Sequence, residues 1–261
     1  MSNAQDLPPM FTPYTLRGMT VKNRVAVSPM CMYSATEGAV GDFQLVHLGA
    51  RALGGAGLII TEMTNIRAAG RISLGCAGLY EPEHVAPWKR VVDFVHDQSD
   101  AKICVQLAHA GRKGATPRGW ERGGDGLGDA AWELAAPSAI PFGPDSATPK
   151  AMTKEDIEDI RKRFVQGAIW AEEAGFDMIE LHGGHGYLLS SFMSPLSNHR
   201  DDEYGGDMER RMRFPLEVLR SVREVWPEDK PISMRISAID YEEGGNTIED
   251  GIEMARMLFD A

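Results

Sequence analysis

The sequence contains little cysteine, no long apolar run and no surplus of positive charge. Its three cysteines, Cys31, Cys76 and Cys104, show no paired spacing, so we expect reduced thiols and a cytoplasmic setting. No run of eighteen apolar residues is present, and the first residues lack the basic and apolar regions of a signal peptide, so no membrane partner is predicted. The 38 acidic residues outnumber the 27 basic ones, and this formal charge of −11 argues against a nucleic-acid partner.

The apolar residues suffice for one large domain, since they make up 43% of the 261 residues. Short apolar runs alternate with amphipathic stretches, which predicts parallel βαβ units. The predicted strands cover residues 25–28, 57–62, 102–108, 176–182 and 232–237, and the predicted helices cover 44–53, 85–98, 153–173, 207–226 and 247–259. Thr153 and Thr247 are predicted helix N-caps, and Asp156 stands where a capping box needs its second member.

A (β/α)8 TIM barrel fits this alternation better than a doubly wound sheet. The first strand is followed by Ser28-Pro29-Met30-Cys31, whereas a doubly wound sheet usually has a Gly-rich phosphate turn there. A TIM barrel has eight βα units in about 250 residues, and we identify about five. We therefore expect an α/β barrel truncated after about five units, in which residues 1–261 form a single domain whose C-terminal units are missing. Residues 2–4 have the composition of an expression remnant, and residues 122–129 read equally as a mobile lid or a surface loop.

Three predicted strands each carry a polar residue near their C-terminal end. Because alternate residues of a strand point to opposite faces, Gln106, His182 and Arg235 are expected to share the inner face of the sheet. Active sites of barrels lie at the C-terminal mouth. One such residue could be a core polar group whose hydrogen bonds are made within the protein. Three such residues on three strands favour a common site.

The segment from His182 to Tyr187 places two imidazoles and a phenol within six residues. A metal pair is one interpretation, but the spacing lacks a clear carboxylate or cysteine partner. A second interpretation is a pair of hydrogen-bond donors for a substrate oxygen, with Tyr187 as an acid, since a phenol is protonated at neutral pH. A turn with a capping histidine is the third. A lone cysteine such as Cys31 would by itself read as a small buried apolar group.

An ordered set of motifs resembles the Old Yellow Enzyme family of FMN-dependent ene-reductases, in particular its thermophilic-like branch. The motifs are Phe11-Thr12-Pro13, Asn23-Arg24, Ser28-Pro29-Met30-Cys31-Met32-Tyr33, Gln106-Leu107-Ala108-His109-Ala110-Gly111-Arg112-Lys113, Ala136-Pro137-Ser138, the segment from His182 to Tyr187, Ser194-Pro195-Leu196-Ser197-Asn198 and Asp202-Glu203-Tyr204-Gly205-Gly206. A looser resemblance, carried by Thr61-Glu62-Met63-Thr64, Trp120 and Asp240, is to the flavin reductase-like part of salicylyl-CoA hydroxylases.

The resemblance implies a role for individual residues around FMN. Ser28, Pro29, Met30 and Cys31 would line the flavin, Gln106 would bind its pyrimidine edge, and Arg235 would face the part that becomes negative on reduction. Met63 would lie near the flavin where the family often has a smaller residue. His182 and His185 would bind the substrate oxygen, Tyr187 would donate a proton, and Tyr33 and Lys113 would shape the substrate pocket. The family's flavin phosphate ligands follow strands that this sequence does not contain, so they are not assigned.

The implied function is that of an NAD(P)H oxidoreductase reducing the activated C=C bond of α,β-unsaturated carbonyl compounds. FMN and NADPH or NADH are the implied cofactors, the partner is a small-molecule substrate, and a homo-oligomer is expected at full length. Three alternatives stay open: a flavin reductase acting on an aromatic acyl-CoA thioester, a metal-dependent barrel hydrolase using His182 and His185, and a non-catalytic fragment with open sheet edges.

Overall fold

The structure is a computed structural model that describes residues 7–121 and 127–261. Residues 2–4, interpreted above as an expression remnant, and residues 122–126 of the predicted lid or loop lie outside the described residues. Among the helices in the described ranges, none combines the length and apolar character needed to span a bilayer.

The centre of the fold is a five-stranded parallel sheet. In chain order, the strands are β1 (Tyr14–Leu16), β2 (Met19–Val21), β3 (Ala26–Val27), β4 (Leu58–Asn65), β5 (Lys102–Ala108), β6 (Ala135–Ala136), β7 (Lys150–Ala151), β8 (Met178–Gly183) and β9 (Ile232–Ile236). The central sheet has the order β3-β4-β5-β8-β9, while β1 and β2 form an antiparallel hairpin and β6 and β7 form a short parallel pair.

Six α-helices are described within the same ranges. They are α1 (Asp42–Leu53), α2 (Val85–Gln98), α3 (Lys154–Ala174), α4 (Leu188–Met193), α5 (Met208–Val225) and α6 (Ile248–Asp260). The Thr153 hydroxyl accepts a hydrogen bond from the Asp156 N–H at 3.2 Å, and the Asp156 carboxylate accepts from the Thr153 N–H at 2.9 Å. Thr247 caps α6 in the same way with Asp250. Both predicted N-caps are therefore confirmed.

The two faces of the central sheet have different neighbours. The outer side chains of β5 and β8, which include Ile103, Leu107, Ile179 and Leu181, are fully buried in the main core with the helices. On the inner face, Cys104 and Met178 pack against Met19 and Val21 of the hairpin β1–β2, which covers the N-terminal end of that face. The alternation predicted for β5 and β8 is therefore confirmed. The buried polar residues of their inner face, Gln106, Glu180 and His182, lie beyond Cys104 and Met178 in the C-terminal direction.

The predicted fold class is confirmed, because the structure has a curled parallel sheet with helices of the kind found in a barrel. Strand boundaries differ from the predicted ones by up to three residues, and the predicted strand at 25–28 contains only the two ladder residues of β3. The hairpin β1–β2 and the pair β6–β7 were not predicted, because each is shorter than the apolar runs on which the assignment rests. The single-domain assignment stays a prediction.

Candidate functional site

A row of polar groups lies on the inner face near the C-terminal ends of three neighbouring strands. The parallel register pairs Gln106 of β5 with Glu180 of β8, and His182 of β8 with Arg235 of β9. Paired residues of neighbouring strands point to the same side of a sheet. The structure therefore brings Gln106, His182 and Arg235 together on one face, as their positions in the sequence predict.

A bulge in β4 adds Met63 to this row. The register with β5 passes from Ile60 opposite Cys104 to Met63 opposite Gln106, so β4 contains one extra residue between these pairs. Met63 is buried and packs in a small cluster with Cys76 and Ala108. The position predicted to lie near the flavin is thus beside Gln106, with a long side chain that is already enclosed by protein.

Glu180 is a member of the row that the sequence analysis did not identify as a site residue. The Gln106 amide donates a hydrogen bond to its carboxylate at 2.7 Å. Burial raises the pKa of Glu180, against the lowering effects of this hydrogen bond and of the Arg235 charge. The sequence does indicate that Glu180 lies on the same face as His182, because one residue separates the two on β8. Gln106 keeps its carbonyl oxygen and its second N–H for a ligand.

The two histidines form a hydrogen-bonded pair whose proton positions follow from their neighbours. His182 Nδ1 accepts from the Gly184 N–H at 3.2 Å, so the proton of a neutral His182 ring is on Nε2. His182 Nε2 lies 3.2 Å from His185 Nδ1 and donates to it, which leaves the His185 proton on Nε2. His185 Nε2–H is therefore the outward donor of the pair.

Both imidazoles are held in the neutral form. Burial is the main cause that lowers the pKa of His182 to about 3, and the proximity of His185, Arg235 and Lys113 also disfavours its protonation. Burial also lowers the pKa of His185, although this side chain is more exposed. The His185 backbone has a left-handed φ of 61°, and its N–H donates to Ser237 Oγ at 2.9 Å.

Tyr187 completes an aromatic group with the two histidines. The centroid of its ring lies 5.0 Å from that of His182 and 6.3 Å from that of His185. Burial raises the pKa of Tyr187, and the neighbouring Cys31 and Tyr33 raise it further. The phenol therefore keeps its proton throughout the physiological pH range. The pattern of three rings predicted from the segment 182–187 is present.

The segment after β3 forms a strip that is partly open to solvent. Ser28 and Met30 are exposed, and 47% of the Met30 side chain remains accessible, while Pro29 and Cys31 are half-buried. Burial raises the pKa of the Cys31 thiol, so it is not a thiolate at neutral pH. Tyr33 has a left-handed φ of 51°, and burial raises its pKa to about 12.

Glu62 is a second residue that the sequence analysis did not assign to the site. Its side chain is 4% exposed, and its carboxylate accepts from the Met32 N–H and from the Gln44 side chain, both at 3.2 Å. Burial raises the pKa of Glu62. The carboxylate thereby anchors the segment that carries Cys31 and Tyr33 to β4.

Lys113 follows β5 and reaches the histidine segment from the outside. Its ammonium group donates to the His185 carbonyl oxygen at 2.9 Å and lies 5.2 Å from the centroid of the Tyr187 ring. This placement brings Lys113 to the same end of the sheet as the other predicted site residues.

The residues present suit a flat, partly polar ring such as that of FMN. Gln106 has an unused amide edge, Arg235 supplies a cation in the same layer, and the exposed Ser28–Met30 strip leaves an uncovered apolar surface. These groups match the pyrimidine edge, the charge that develops on reduction and the faces of a flavin. Within residues 7–121 and 127–261, by contrast, no three His, Cys, Asp or Glu side chains are grouped as metal ligands would be.

Comparison with known proteins identifies relatives along almost the whole chain. Residues 9–261 match the model of the NADH:flavin oxidoreductase / NADH oxidase family. An NADPH dehydrogenase of Geobacillus sp. (strain WCH70) is 48% identical over 251 residues, which are 95% of this chain and 69% of the relative.

Two solved structures extend this comparison. A 2-naphthoyl-CoA reductase in complex with 2-naphthoyl-CoA has a TM-score of 0.87 at 28% identity, over 97% of this chain and 39% of that one. Old Yellow Enzyme from Pichia sp. AKU4542 has a TM-score of 0.79 at 32% identity, over 87% of this chain and 59% of that one. These matches confirm the predicted resemblance to the Old Yellow Enzyme family, the oxidoreductase class, and FMN and NAD(P)H as the cofactors.

Proposed function

We propose, on the premise that this chain belongs to the NADH:flavin oxidoreductase / NADH oxidase family, that it reduces the activated C=C bond of α,β-unsaturated carbonyl compounds. NADPH or NADH would be the electron donor. The observation that carries the proposal is the group of His182, His185 and Tyr187, whose rings lie within 6.3 Å of one another at the end of the sheet that also carries Gln106 and Arg235.

The residues proposed to hold the flavin are Ser28, Pro29, Met30, Cys31, Met63, Gln106 and Arg235. When bound, FMN supplies the chemistry that the side chains lack, namely acceptance of a hydride from the nicotinamide and its delivery to the β-carbon of the alkene. Arg235 would stabilise the negative charge of the reduced ring, since a fixed cation in a partly buried site needs no reorganisation.

His185 and His182 are proposed to bind the substrate carbonyl. The outward Nε2–H of His185 can donate directly to that oxygen, and His182 polarises His185 through the hydrogen bond between the rings. Neutral rings suit this role, because they donate hydrogen bonds without giving up a proton. Tyr33 and Lys113 would complete the substrate pocket.

Tyr187 is proposed to protonate the α-carbon as the β-carbon receives hydride. Its raised pKa keeps the phenol protonated before the reaction. The phenolate formed by the transfer would take a proton back from solvent, so that one hydride and one proton are added for each alkene reduced.

The test is Tyr187→Phe in the FMN-loaded protein, measured separately in the two half-reactions. Reoxidation by an enone should slow by about 10²–10⁴-fold, the usual contribution of a general acid, while reduction of the flavin by NADPH should change little. Tyr241→Phe is the control, since this tyrosine is 88% exposed, and it should behave as wild type. Equal slowing of both half-reactions by Tyr187→Phe would contradict the acid role.

An aromatic acyl-CoA thioester is the second candidate substrate. The similarity to a 2-naphthoyl-CoA reductase, with a TM-score of 0.87, supports testing it. Parallel assays with a simple enone and with an unsaturated aromatic acyl-CoA separate the two candidates. A kcat/KM for the thioester at least tenfold higher than that for the enone would favour the acyl-CoA thioester as the substrate.

The cytoplasm and a homo-oligomeric state belong to this proposal as well. Cys31, Cys76 and Cys104 are all unbridged thiols, as expected in a reducing compartment. The resemblance to the ene-reductases implies association of like subunits. Because the expectation concerns the full-length protein, light scattering of that protein tests it, and the mass of a single subunit at all concentrations would refute it.

A further inference from the structure

A cleft outside the predicted flavin face adjoins Tyr187. It encloses about 450 Å³ and is bounded by the residues that follow β5 and by the 131–147 stretch. Ile72, Leu134 and Phe142 supply apolar walls, and the Tyr187 ring forms one of its boundaries. A ligand that reaches past Tyr187 would therefore enter this space, and of its lining the reaction proposed above uses only Tyr187 and Lys113.

Two cations face the cleft, and both are held in position. Lys113 Nζ lies 4.3 Å from the centroid of the Phe142 ring and is fixed by its hydrogen bond to the His185 carbonyl. Arg112 donates from Nη1 to the carbonyl oxygens of Ile140 and Pro141 at 3.3 and 3.2 Å. These contacts leave N–H groups on both cations for another acceptor, because an ammonium has three donors and a guanidinium has five.

Two of the residues that line the cleft also have a buried N–H group for which the described chain provides no acceptor. Arg112 Nε and Trp132 Nε1 are buried, and neither has a hydrogen-bond partner within residues 7–121 and 127–261. Asp145 is the carboxylate among the lining residues, against the two cations. The two cations outnumber the one carboxylate of the lining, so the cleft suits a ligand that brings acceptor oxygens and negative charge.

We propose that this cleft binds a carboxylate or phosphate group carried by a molecule whose reactive part lies over the flavin. This inference rests on the proposed function and narrows its substrate class. The group belongs either to the enone itself, at the end remote from the alkene, or to NADPH, whose additional phosphate distinguishes it from NADH. Both sources share the same oxyanion chemistry, and bidentate contact with Arg112 would fix the anion.

The test uses Arg112→Gln, which removes the charge but keeps an amide donor. The substrates are two enones that differ only in a remote carboxylate and its methyl ester. In wild type the acid should have the higher kcat/KM, and Arg112→Gln should lower the acid-to-ester ratio about tenfold. Arg112→Lys should restore part of the ratio, and Arg256→Gln, an exposed arginine on α6, should leave both activity and ratio unchanged.

The reductive half-reaction separates the two sources. If the anion belongs to the nicotinamide, Arg112→Gln raises the NADPH-to-NADH ratio of KM about tenfold and leaves the acid-to-ester ratio intact. If neither ratio changes, the cleft proposal is overturned. Calorimetric binding of the saturated form of the acid, which cannot be reduced, supplies a readout that does not depend on turnover. Tight binding weakened by Arg112→Gln in a protein that reduces no enone would preserve the cleft and reject the proposed reaction.

Discussion

A buried carboxylate, that of Glu62, binds the backbone between Cys31 and Tyr33. Tyr33 has a φ of 51°, a conformation that costs a non-glycine residue on the order of 1 kcal/mol or more. The Glu62 carboxylate accepts hydrogen bonds from the neighbouring Met32 N–H and from the Gln44 side chain. These two hydrogen bonds connect the segment to β4 and to the start of α1. The strained backbone persists because these contacts fix it from one side.

Replacing Glu62 with Gln should therefore destabilise the protein. The amide keeps one acceptor oxygen but turns an NH2 group toward the second donor, and leaving a buried donor unpaired costs about 1–3 kcal/mol. Urea unfolding at pH 7 measures the loss. Glu173→Gln alters an exposed glutamate of α3 and should stay within about 0.5 kcal/mol of wild type. Equal stability of the two variants would show that Glu62 does not anchor the segment.

The sequence predicts which residues lie on the inner face wherever the regular alternation of a strand determines the direction of its side chains. Gln106, His182 and Arg235 lie on regular strands, so counting by two is enough to place them together. The same count places Glu180 on this face, but a lone carboxylate on a strand belongs to no motif that would assign it to a site. Glu62 could not be found in this way, since the bulge in β4 changes the alternation and is visible only against β5.

At the scale of elements, the start of α3 gives a direct test of the capping box. The Thr153 hydroxyl satisfies the Asp156 N–H, one of the helix donors that has no intrahelical partner. Thr153→Ala should lower the free energy of unfolding by about 1 kcal/mol, as measured by urea denaturation. Thr153→Ser retains the hydroxyl and should recover most of that loss. A serine variant as unstable as the alanine variant would mean that the methyl group, and not the cap, is responsible.

Helices with such signals were predicted to within a few residues, whereas the short paired elements were not. A cap and an amphipathic face are encoded by neighbouring residues, so α3 and α6 are evident from sequence alone. The pairing of Ala135–Ala136 with Lys150–Ala151 joins residues fifteen positions apart, and nothing in either dipeptide predicts a strand. Strand pairs of this kind depend on the tertiary structure and not on the local sequence.

At the scale of the whole molecule, two buried histidines make stability depend on pH. His182 and His109 are both 3% exposed, and burial is the first cause that lowers the pKa of each to about 3. In the unfolded chain a histidine titrates near 6.5. Between these values the unfolded state binds protons that the folded state does not, so stability falls as the pH falls below about 6.5. Buried Glu62 and Glu180, with raised pKa values, act in the opposite direction at lower pH.

His109→Asn isolates one of these contributions, because His109 lies outside the proposed reaction. Its Nδ1 accepts from the Gly111 N–H at 3.0 Å, and an asparagine oxygen can serve the same donor. Between pH 7 and 5.5, each buried histidine should cost the wild type about 1 kcal/mol, and the variant should lose about 1 kcal/mol less. Urea unfolding of both proteins at the two pH values measures this difference, in which the other titrating groups cancel.

The exposed His199 is the matched control, and His199→Asn should retain the acid sensitivity of wild type. If His109→Asn retains it too, the His109 ring must accept its proton in the folded state, and the account of its burial is wrong.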